Sequence, residues 1–409
     1  MSTPPPTTPI RVALIGLSST PADEYEGTNW AASAHLPYLL ASPHYEIAAL
    51  LNSSVESARR SIEKHGLPGD VKAYGRPEDL AADPTISLIV CSTRVDRHFS
   101  TVRPSIIAGK DVFVEWPLEK NLAIAREMNE LTKKYGGKTI VGLQGRYSEP
   151  VVKVKELVWG KGEEGKVGEG RIGRVLGSTL FAALGNSGRT ESKNVRYFLD
   201  REVGGNTLSI HFWHAMECVV SVIGEFKTHT SYLVNQHPFK NIVSSNTSIS
   251  TPNSTIIQAS APNTVPDQHL FQGITEHNIP FSMHRRGGAP FPGTPAVEWR
   301  IQGEKGEVRV TSEDYFIHMG HPRPKTKVEL YVEAEGKVEE VVWGGEAGEE
   351  GDEVSKMELP VLARGIARLY EGYRKGEEVP DWELAVKRHE VVEEMWRRYD
   401  EDVERGLAI

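Results

Sequence analysis

Short runs of consecutive apolar residues, each followed by a segment of helical spacing, constrain the fold of this chain more than any other feature. They recur through the first 147 residues, at Arg11–Gly16, Glu46–Leu51, Leu88–Cys91, Val112–Val114 and Thr139–Leu143. Strands without a polar face are typical of a parallel sheet that helices cover on both sides. The alternation therefore predicts βαβ units and a doubly wound parallel sheet.

The segments between the apolar runs carry helix signals. Apolar spacing predicts helices at Trp30–Leu40 and Leu122–Tyr135. Ser53-x-x-Glu56 has the form of a capping box, which predicts a helix beginning just beyond the second strand. Gly109 has the place of a glycine that ends a helix before the next strand.

After Pro150 the pattern changes to strands with little helix between them, which predicts a second α/β domain with an open, mostly antiparallel sheet. We expect a leader at 1–9 that is disordered, a dinucleotide-binding domain at 10–147 and a second domain at 148–409. The expected helices are Val151–Trp159, Asn206–Ile223 and Trp382–Val403. The strand-like runs are Gly173–Leu184, Thr228–Val234, Thr255–Ser260, Ile279–His284, Val297–Gln302, Glu307–Thr311, Lys327–Glu333 and Lys337–Trp343.

The charge and cysteine content exclude several classes of function. The net charge of −9 argues against a broad nucleic-acid or anionic-membrane surface. Cys91 and Cys218 each lie in an apolar run, so we expect buried thiols in a reducing compartment. The Pro/Thr-rich Met1–Pro9 lacks the features of a signal peptide. We therefore expect a cytoplasmic protein, nuclear if it is regulatory, in which the Gly/Glu/Asp run Glu346–Glu353 is a solvated loop.

A glycine ends the first strand, at the place where a dinucleotide pyrophosphate binds in folds of this class. Only this first glycine of G-x-G-x-x-G is present: Gly16 is followed by Leu17, Ser18 and Ser19, and the helix is delayed to Trp30. We predict that these residues bind a dinucleotide. A glycine in an ordinary tight turn between strand and loop is the open alternative.

The end of the second strand bears on the choice of cofactor. A carboxylate there would bind the ribose 2′-OH of NAD. This chain has Asn52, Ser53 and Ser54 instead, followed by Arg59 and Arg60. Neutral donors and guanidinium groups suit a 2′-phosphate, so the sequence favours NADP(H), with NAD(H) still possible. The alternative is that both arginines are solvated charges on a helix face.

Several segments in a common order make the chain similar to the glucose–fructose oxidoreductase/inositol dehydrogenase (Gfo/Idh/MocA) family of NAD(P)-dependent enzymes. Beyond the first strand they are Trp30-Ala31 with His35-Leu36-Pro37, Thr93 with His98, Ala108–Glu115, Val141–Tyr147, Gly170-x-x-Gly173, Ile301-x-Gly303-x-x-Gly306 and Pro380-Asp381-Trp382 with Ala385 and Arg388-His389. The resemblance implies a Rossmann domain, a second domain with an open mixed sheet, and homodimers or higher homo-oligomers formed through that sheet.

A narrower resemblance is to the branch of the family formed by fungal galactose-regulon repressors, which bind NAD(P) without catalysis. It rests on Val114–Leu118, Leu143–Arg146 and above all Asn263–Gly273. It implies that a regulatory protein can be the partner of this chain in place of a small-molecule substrate.

The chain departs from the family enzymes at two positions. Those enzymes usually carry Glu-Lys-Pro, where this chain has Glu115, Trp116 and Pro117. They also carry an Asp where this chain has Ile210, whereas the histidine of the same motif is retained as His214. An indole N–H can donate a hydrogen bond but cannot take up a proton, and isoleucine can do neither. The usual Lys/Asp/His relay is therefore not available.

His214 is the remaining acid/base candidate, since imidazole exchanges protons near neutral pH. Arg146 and Tyr197 are further catalytic candidates, as a holder of substrate oxygens and as a hydroxyl donor. His211-x-x-His214, with Glu217 or Cys218 one turn further, imitates a metal motif. Nothing else clusters there and the family resemblance explains the segment without a metal, so we expect none. The remaining cofactor-binding candidates are Ser92, Thr93, His98, Glu115, Trp116, Pro117 and Gln144.

Two functions stay open on the sequence alone. The first, which we favour, is an NADP(H)-dependent oxidoreductase that transfers hydride on a sugar, polyol or related hydroxy or carbonyl compound. The second is a cofactor-binding regulator without turnover. Trp116 and Ile210 favour this second function. Folds of this kind host many chemistries, so the site has to decide between them.

Overall fold

A computed structural model describes residues 8–21, 27–160, 170–184, 188–244, 255–313, 316–317, 326–343 and 352–408. The chain divides into two compact units. The first contains Met1–Gly142 and Leu362–His389, and the second contains Leu143–Val361 and Glu390–Ile409. Most of the predicted leader (1–9) and of the acidic run (346–353) lies outside the described residues.

In the described part of the first unit, six strands form one parallel sheet. They are β1 (Ile10–Ile15), β2 (Tyr45–Leu51), β3 (Lys72–Tyr74), β4 (Leu88–Cys91), β5 (Asp111–Val114) and β6 (Thr139–Val141). Their order is β3-β2-β1-β4-β5-β6, and each pair is parallel. The direction in which successive strands are added reverses between β1 and β4. Sheets of this kind bind ligands at that point, beyond the carboxyl ends of the strands.

Helices connect these strands, and the sequence predicts all of them except the short helix Pro77–Ala81. A π-helical turn, Ala31–His35, runs into α1 (Leu36–Ala41), and the others are α2 (Val55–Lys64), α3 (Pro77–Ala81), α4 (His98–Ile107) and α5 (Leu122–Tyr135). The predicted fold class is confirmed for this unit. The short strand β3 is not among the predicted strands, since none of its three residues is buried.

One predicted cap is wrong by a residue. The side chain of Ser54, not Ser53, caps α2 by accepting a hydrogen bond of 3.1 Å from the backbone N–H of Ser57. Both serines satisfy the residue preference for this position, and the backbone decides between them because Ser54 holds the extended conformation of an N-cap.

The second unit is built on an open sheet. Its strands are β7 (Val175–Leu184), β8 (Thr190–Ser192), β9 (Phe226–Val234), β10 (Phe239–Val243), β11 (Ile256–Pro262), β12 (Gln268–Thr275), β13 (Pro280–Gly287), β14 (Val297–Gly303), β15 (Gly306–Ser312), β16 (Thr326–Val332) and β17 (Lys337–Val341). Over the described ranges the large sheet has the order β17-β16-β15-β14-β7-β13-β12-β9. Only β7 and β13 pair in parallel within it, so the predicted mostly antiparallel sheet is confirmed. A smaller sheet has the order β11-β10-β8.

Two helices of this unit form a buried layer with the sheet. They are α6 (Glu149–Trp159) and α7 (Trp213–Ile223), and a π-helical segment, Thr207–Phe212, leads into α7. Trp159 Nε1 donates to the carbonyl oxygen of Val222 at 2.6 Å, which ties α6 to the end of α7. Asn206 caps the π-helical segment in a reciprocal bond pair with Ser209, so the predicted helix Asn206–Ile223 is confirmed.

The C-terminal helices are α8 (Val361–Lys375) and α9 (Trp382–Glu404). Most of α8 and the start of α9 group with the first unit, because Tyr370 and Trp382 are fully buried there. Trp382 Nε1 donates to the carbonyl oxygen of Ile140 in β6 at 3.1 Å. The division at residue 147 stays a prediction; the compact units differ from it in returning residues 362–389 to the first unit.

Candidate functional site

Gly16 brings the end of β1 into close contact with the end of β4. Its φ is +93°, and a Cβ atom there would overlap the carbonyl oxygen of Ser92. Thr93 lies beside the same point, with its Cγ2 3.1 Å from the Cβ position. Only glycine fits both the backbone angle and the space, so this strand end has the close-approach geometry of a dinucleotide loop.

The loop after Gly16 is fixed to the end of α2. Lys64 Nζ donates to the carbonyl oxygens of Ser19 at 3.1 Å and Thr20 at 3.0 Å, and His65 Nε2 lies 3.0 Å from that of Ser18. The backbone N–H of Thr20 donates to the Ser18 hydroxyl at 3.0 Å. Leu17, a predicted cofactor residue, is fully buried. Residues 18–20 are therefore held against the end of α2 without a second glycine among them.

The far end of this loop has buried polar atoms that suit a ligand. Asn29 has a φ of +52°, and Trp30 begins the following helix. Among the described residues, neither the Asn29 side-chain oxygen nor the Trp30 indole N–H has a hydrogen-bond partner, although both atoms are buried. A buried acceptor and a buried donor of this kind fit the hydroxyl and phosphate groups of a dinucleotide.

The predicted residues after β2 have different roles in the structure. Asn52 donates its side-chain amide to the carbonyl oxygen of Leu17 at 2.9 Å and to the Ser61 hydroxyl at 3.0 Å, so the amide supports the β1 loop. Ser54 is used as the helix cap. Ser53 and Arg59 are exposed and remain available to a ligand.

His98 is buried at the start of α4 and joins two strand ends. Its Nδ1 lies 3.1 Å from the carbonyl oxygen of Leu118, and its Nε2 lies 3.0 Å from that of Thr93. Both ring nitrogens thus face backbone acceptors, which orients the loops beyond β4 and β5. His98 holds the site in shape, and its predicted contact with the cofactor stays a prediction.

Glu115, at the end of β5, belongs to a buried chain of hydrogen bonds. His35 Nε2 donates to the Glu115 carboxylate at 2.8 Å, and the Tyr370 hydroxyl lies 2.8 Å from His35 Nδ1. Burial keeps the pKa of Tyr370 well above its ordinary value, so the phenol keeps its proton and donates it. Gly142 leaves the space for the carboxylate, because a Cβ atom there would overlap it. Sequence reasoning noted His35 only within a motif and missed its role.

We predict that His35→Leu lowers the free energy of unfolding of the first unit by about 3 kcal/mol. The change leaves the Glu115 carboxylate and the Tyr370 hydroxyl buried without their shared partner. Tyr370→Phe is the control, because it removes one neutral hydrogen bond and should cost about 1 kcal/mol. Denaturant titration followed by tryptophan fluorescence measures both. Equal losses in the two variants would contradict the chain of bonds described.

Trp116 and Pro117, which follow Glu115, form a cis peptide bond. Trp116 is almost fully buried, at 4% exposed, and its ring lies 4.8 Å from that of His389 with 48° between the planes. Burial lowers the pKa of His389 to about 3, so that imidazole is neutral. Trp116 therefore packs against an uncharged ring from the C-terminal motif.

In the second unit, Arg146 is paired with a buried carboxylate. Its Nε and Nη2 lie 2.7 and 2.5 Å from one oxygen of Glu217, whose side chain is fully buried on α7. The same helix carries His214 one turn earlier, and Gly145 lies against its backbone and Cys218. The structure thus brings two predicted catalytic residues, Arg146 and His214, to one helix. The sequence analysis considered Glu217 only as a ligand of the rejected metal motif and missed its pairing with Arg146.

His214 is buried on α7, near the ring of Phe316. The two ring centres are 6.5 Å apart, and Phe316 also contacts His211 at 5.2 Å. Burial lowers the pKa of His214 to about 4, so the imidazole is neutral at neutral pH. A neutral imidazole can accept a proton from a hydroxyl group.

The lowered pKa of His214 predicts that the free energy of unfolding depends on pH. A histidine that titrates near 6.5 when unfolded and near 4 when folded contributes stability above about pH 6.5 that is lost as the pH falls towards 4. Between about pH 7 and 5 we expect a loss of about 2 kcal/mol from this group. His214→Gln should remove that share and leave the similar share of His389. An unchanged slope of unfolding free energy against pH in the variant would contradict the assignment.

Two further predicted residues lie in this unit. The Tyr197 ring packs edge-on against Phe198 at 5.0 Å, and Phe198 in turn contacts His211 at 5.3 Å. Gln144 is buried, and its side-chain oxygen has no hydrogen-bond partner among the residues described. Tyr197 is therefore linked to the histidine-bearing segment through a row of rings, whereas Gln144 has an acceptor available to a ligand.

Cys91 and Cys218 are both buried thiols that form no disulfide, as predicted. Within the described ranges, no three His, Cys, Asp or Glu side chains come together in a way that could hold a metal ion. In that same part of the chain, no helix has the length and apolar content needed to cross a membrane.

Comparison with known proteins gives the family. Residues 26–143 match the profile of the Gfo/Idh/MocA oxidoreductase family with an NAD-binding Rossmann fold, and residues 151–312 match that of the Gal80p C-terminal domain. The dehydrogenase aclE of Aspergillus oryzae is 30% identical over 321 residues, which cover 77% of this chain and 80% of that protein. The chain belongs to the Gfo/Idh/MocA oxidoreductase family. The resemblance predicted from the sequence motifs is thereby confirmed.

Other proteins that are similar to this chain are regulators. The galactose/lactose metabolism regulatory protein GAL80 of Saccharomyces cerevisiae is 26% identical over 389 residues, which cover 91% of this chain and 83% of GAL80. The crystal structure of the transcriptional regulator Gal80p from Kluyveromyces lactis has a TM-score of 0.78 at 23% identity, covering 98% of this chain and 92% of that one. This likeness establishes the shared fold.

Proposed function

We propose that this protein is an NADP(H)-dependent oxidoreductase that transfers hydride on a sugar, a polyol or a related hydroxy or carbonyl compound. The observation that carries the proposal is the strand end at Gly16, where β1 and β4 approach as closely as a dinucleotide loop requires. Membership of an oxidoreductase family and the dehydrogenase among its relatives support the same function.

When bound, the nicotinamide would supply the hydride acceptor or donor. The chain's own part is to hold the dinucleotide with Gly16, Ser18 and Trp30 and to move the accompanying proton. His214 is neutral and can take that proton from a substrate hydroxyl, while Tyr197 carries a hydroxyl donor. Because a protonated His214 would be a buried charge, it has to pass the proton on.

NADP(H) is the proposed cofactor because β2 ends without a carboxylate. Ser53, on the turn after β2, and Arg59, on the following helix α2, are both exposed where a ribose 2′-phosphate would need donors. The side-chain amide of Asn52 donates to the Leu17 carbonyl oxygen inside the fold, so we do not count it among the donors to the phosphate. The preference for NADP(H) over NAD(H) rests on these side chains.

The second candidate is a cofactor-binding regulator that acts on a protein partner in the cytoplasm or nucleus. Trp116 favours it, because the indole occupies the position of the family's lysine and is buried against His389. The match of residues 151–312 to the Gal80p C-terminal domain favours it too. The retained and neutral His214 is the reason to rank the enzyme first.

We also propose that the protein forms a homodimer through the outer face of its large sheet. Four side chains from adjacent strands, Phe181, His284, Leu270 and Tyr232, stand in one cross-strand row there, and the three apolar ones are 38% to 60% exposed. Sedimentation of the wild type as a dimer and of Leu270→Glu as a monomer would support this. The proposal would be contradicted if the wild type and Leu270→Glu both sediment as monomers, or if both sediment as dimers.

The test of the proposed function has two stages. NADPH and NADH are titrated against the protein by fluorescence, and aldoses, ketoses and polyols are then screened for a change in nicotinamide absorbance. We expect the protein to bind NADPH more tightly than NADH and to turn over at least one compound. The Arg59→Ser variant should lose the preference for NADPH. Equal affinity for both cofactors would refute the NADP(H) preference, and tight binding without turnover would favour the regulator.

A further inference from the structure

The first turn of α2 carries a carboxylate, Glu56, that the proposed function does not use. The sequence predicts Glu56 at the third helical position of a capping box that begins at Ser53. Because Ser54 is the cap instead, Glu56 stands at the second helical position. It is exposed. A negative side chain therefore lies at the start of the helix that follows β2, next to the proposed ribose site.

The backbone N–H groups at this helix start are bonded or covered within the chain. The N–H of Ser57 donates to the Ser54 hydroxyl oxygen at 3.1 Å, and the N–H of Ala58 donates to the Ser54 carbonyl oxygen at 3.0 Å. Gly75, after β3, packs so closely here that a Cβ atom on it would lie 2.7 Å from the Val55 nitrogen. A helix start can offer such donors to an anion, so a phosphate at this one has to be held by side chains.

Glu56 occupies the place that an external anion would take. Its carboxylate accepts hydrogen bonds from its own backbone N–H and from the Ser54 hydroxyl, and both bonds lower the pKa of Glu56, so the group is ionised at neutral pH. Arg59 and Arg60 are three and four residues further on, on the same side of the helix, and their charges lower that pKa as well. The carboxylate already lies near the cations that a 2′-phosphate would use.

We infer that Glu56 is a specificity-determining residue, which opposes the 2′-phosphate of NADP(H) and accepts a hydrogen bond from the 2′-hydroxyl of NAD(H). Two negative groups that share Arg59 repel each other, whereas a carboxylate beside the ribose is the group that binds a 2′-hydroxyl. This role of Glu56 rests on the proposed function, which puts the ribose beyond β2. Its consequence is a protein that prefers NADPH by a small factor and also accepts NADH.

Fluorescence titrations of NADPH and NADH with two variants of Glu56 test this role. Glu56→Gln removes the charge and keeps an acceptor, so NADPH should bind on the order of five-fold more tightly while NADH keeps its affinity. Glu56→Ala removes the acceptor too, so NADPH should gain in the same way while NADH binds on the order of three-fold more weakly. Changes of opposite sign for the two cofactors cannot come from a loss of folded protein.

Glu63→Gln is the matched control, because Glu63 is an exposed carboxylate near the other end of the same helix. Both affinities should stay as in the wild type. The gain of Glu56→Gln for NADPH should also vanish at about 1 M salt, where exposed charges are screened. An unchanged affinity of Glu56→Gln for NADPH, an equal gain for NADH, or a gain that persists in high salt would overturn the inference.

The titrations also separate the role of Glu56 from the proposed function. If both cofactors bind but no compound turns over, the result counts against the oxidoreductase alone, and the Glu56 variants still decide the inference. If Arg59→Ser loses the preference for NADPH while Glu56→Gln binds like the wild type, the proposed cofactor site stands and the role of Glu56 is wrong. If the wild type binds neither cofactor, both are wrong.

Discussion

Gly16→Ala is expected to abolish useful cofactor binding, with a loss in affinity for NADPH of about 100-fold. A Cβ atom at this position overlaps the Ser92 carbonyl oxygen, a backbone atom just beyond β4 that cannot rotate away. The φ of +93° is also unfavourable for alanine. The ends of β1 and β4 would have to separate, so the free energy of unfolding should fall by about 2–4 kcal/mol as well.

Gly66→Ala is the matched control. Gly66 also has a positive φ, +62°, but no atom lies within 4 Å of its Cβ position. We expect about 1 kcal/mol of destabilisation from the backbone angle and an unchanged affinity for NADPH, both measured by fluorescence titration and denaturant unfolding. If Gly16→Ala binds NADPH as tightly as Gly66→Ala does, β1 does not end at the dinucleotide.

Arg146→Met is expected to lower the free energy of unfolding of the second unit by about 3–5 kcal/mol. Glu217 has a fully buried side chain, and the variant removes the guanidinium that lies 2.5 Å from its carboxylate. An uncompensated charge in the interior costs far more than the pair itself contributes. Chemical denaturation of the variant measures the loss.

A double variant separates the stranded charge from the lost packing. Arg146→Met with Glu217→Leu removes both charges, so stability should return to within about 1–2 kcal/mol of the wild type. If the double variant is no more stable than Arg146→Met, the carboxylate of Glu217 is not what destabilises the single variant.

The strands of the first unit could be predicted because each is a short run of apolar residues. β4 is buried along its whole length, and its predicted bounds, Leu88–Cys91, are those observed. β12 in the second unit was recognised as a motif but not as a strand. Its sequence, which includes Gln272 and Gly273, has buried residues only at alternate positions, so the run lacks a continuous apolar signal.

The site could be predicted only where local sequence carries it. Gly16 and His214 stand in short motifs, and the structure gives both a distinctive environment. His35 could not be linked to its partner in the same way, because Tyr370 lies 335 residues away. Arg146 likewise meets Glu217 across 71 residues, and no local pattern specifies that pair.

The environment of Trp116 could not be predicted from the sequence. The sequence places Trp116 at the position of the family's lysine, and its contact with the cofactor stays a prediction. In the structure the indole is 4% exposed and packs on His389. Its neighbour Glu115 accepts a hydrogen bond from His35, and this bond helps to fix the backbone turn in which Trp116 lies.

A single-turnover experiment tests most directly whether this chain uses the dinucleotide that it is proposed to hold. Protein in excess is loaded with NADPH and mixed with each aldose or ketose, and nicotinamide absorbance is followed together with the reduced product. We predict that NADPH is oxidised in step with product formation for at least one compound, and about 100-fold more slowly in His214→Asn. Saturable binding of NADPH that stays reduced with every compound would contradict an oxidoreductase and leave a regulator.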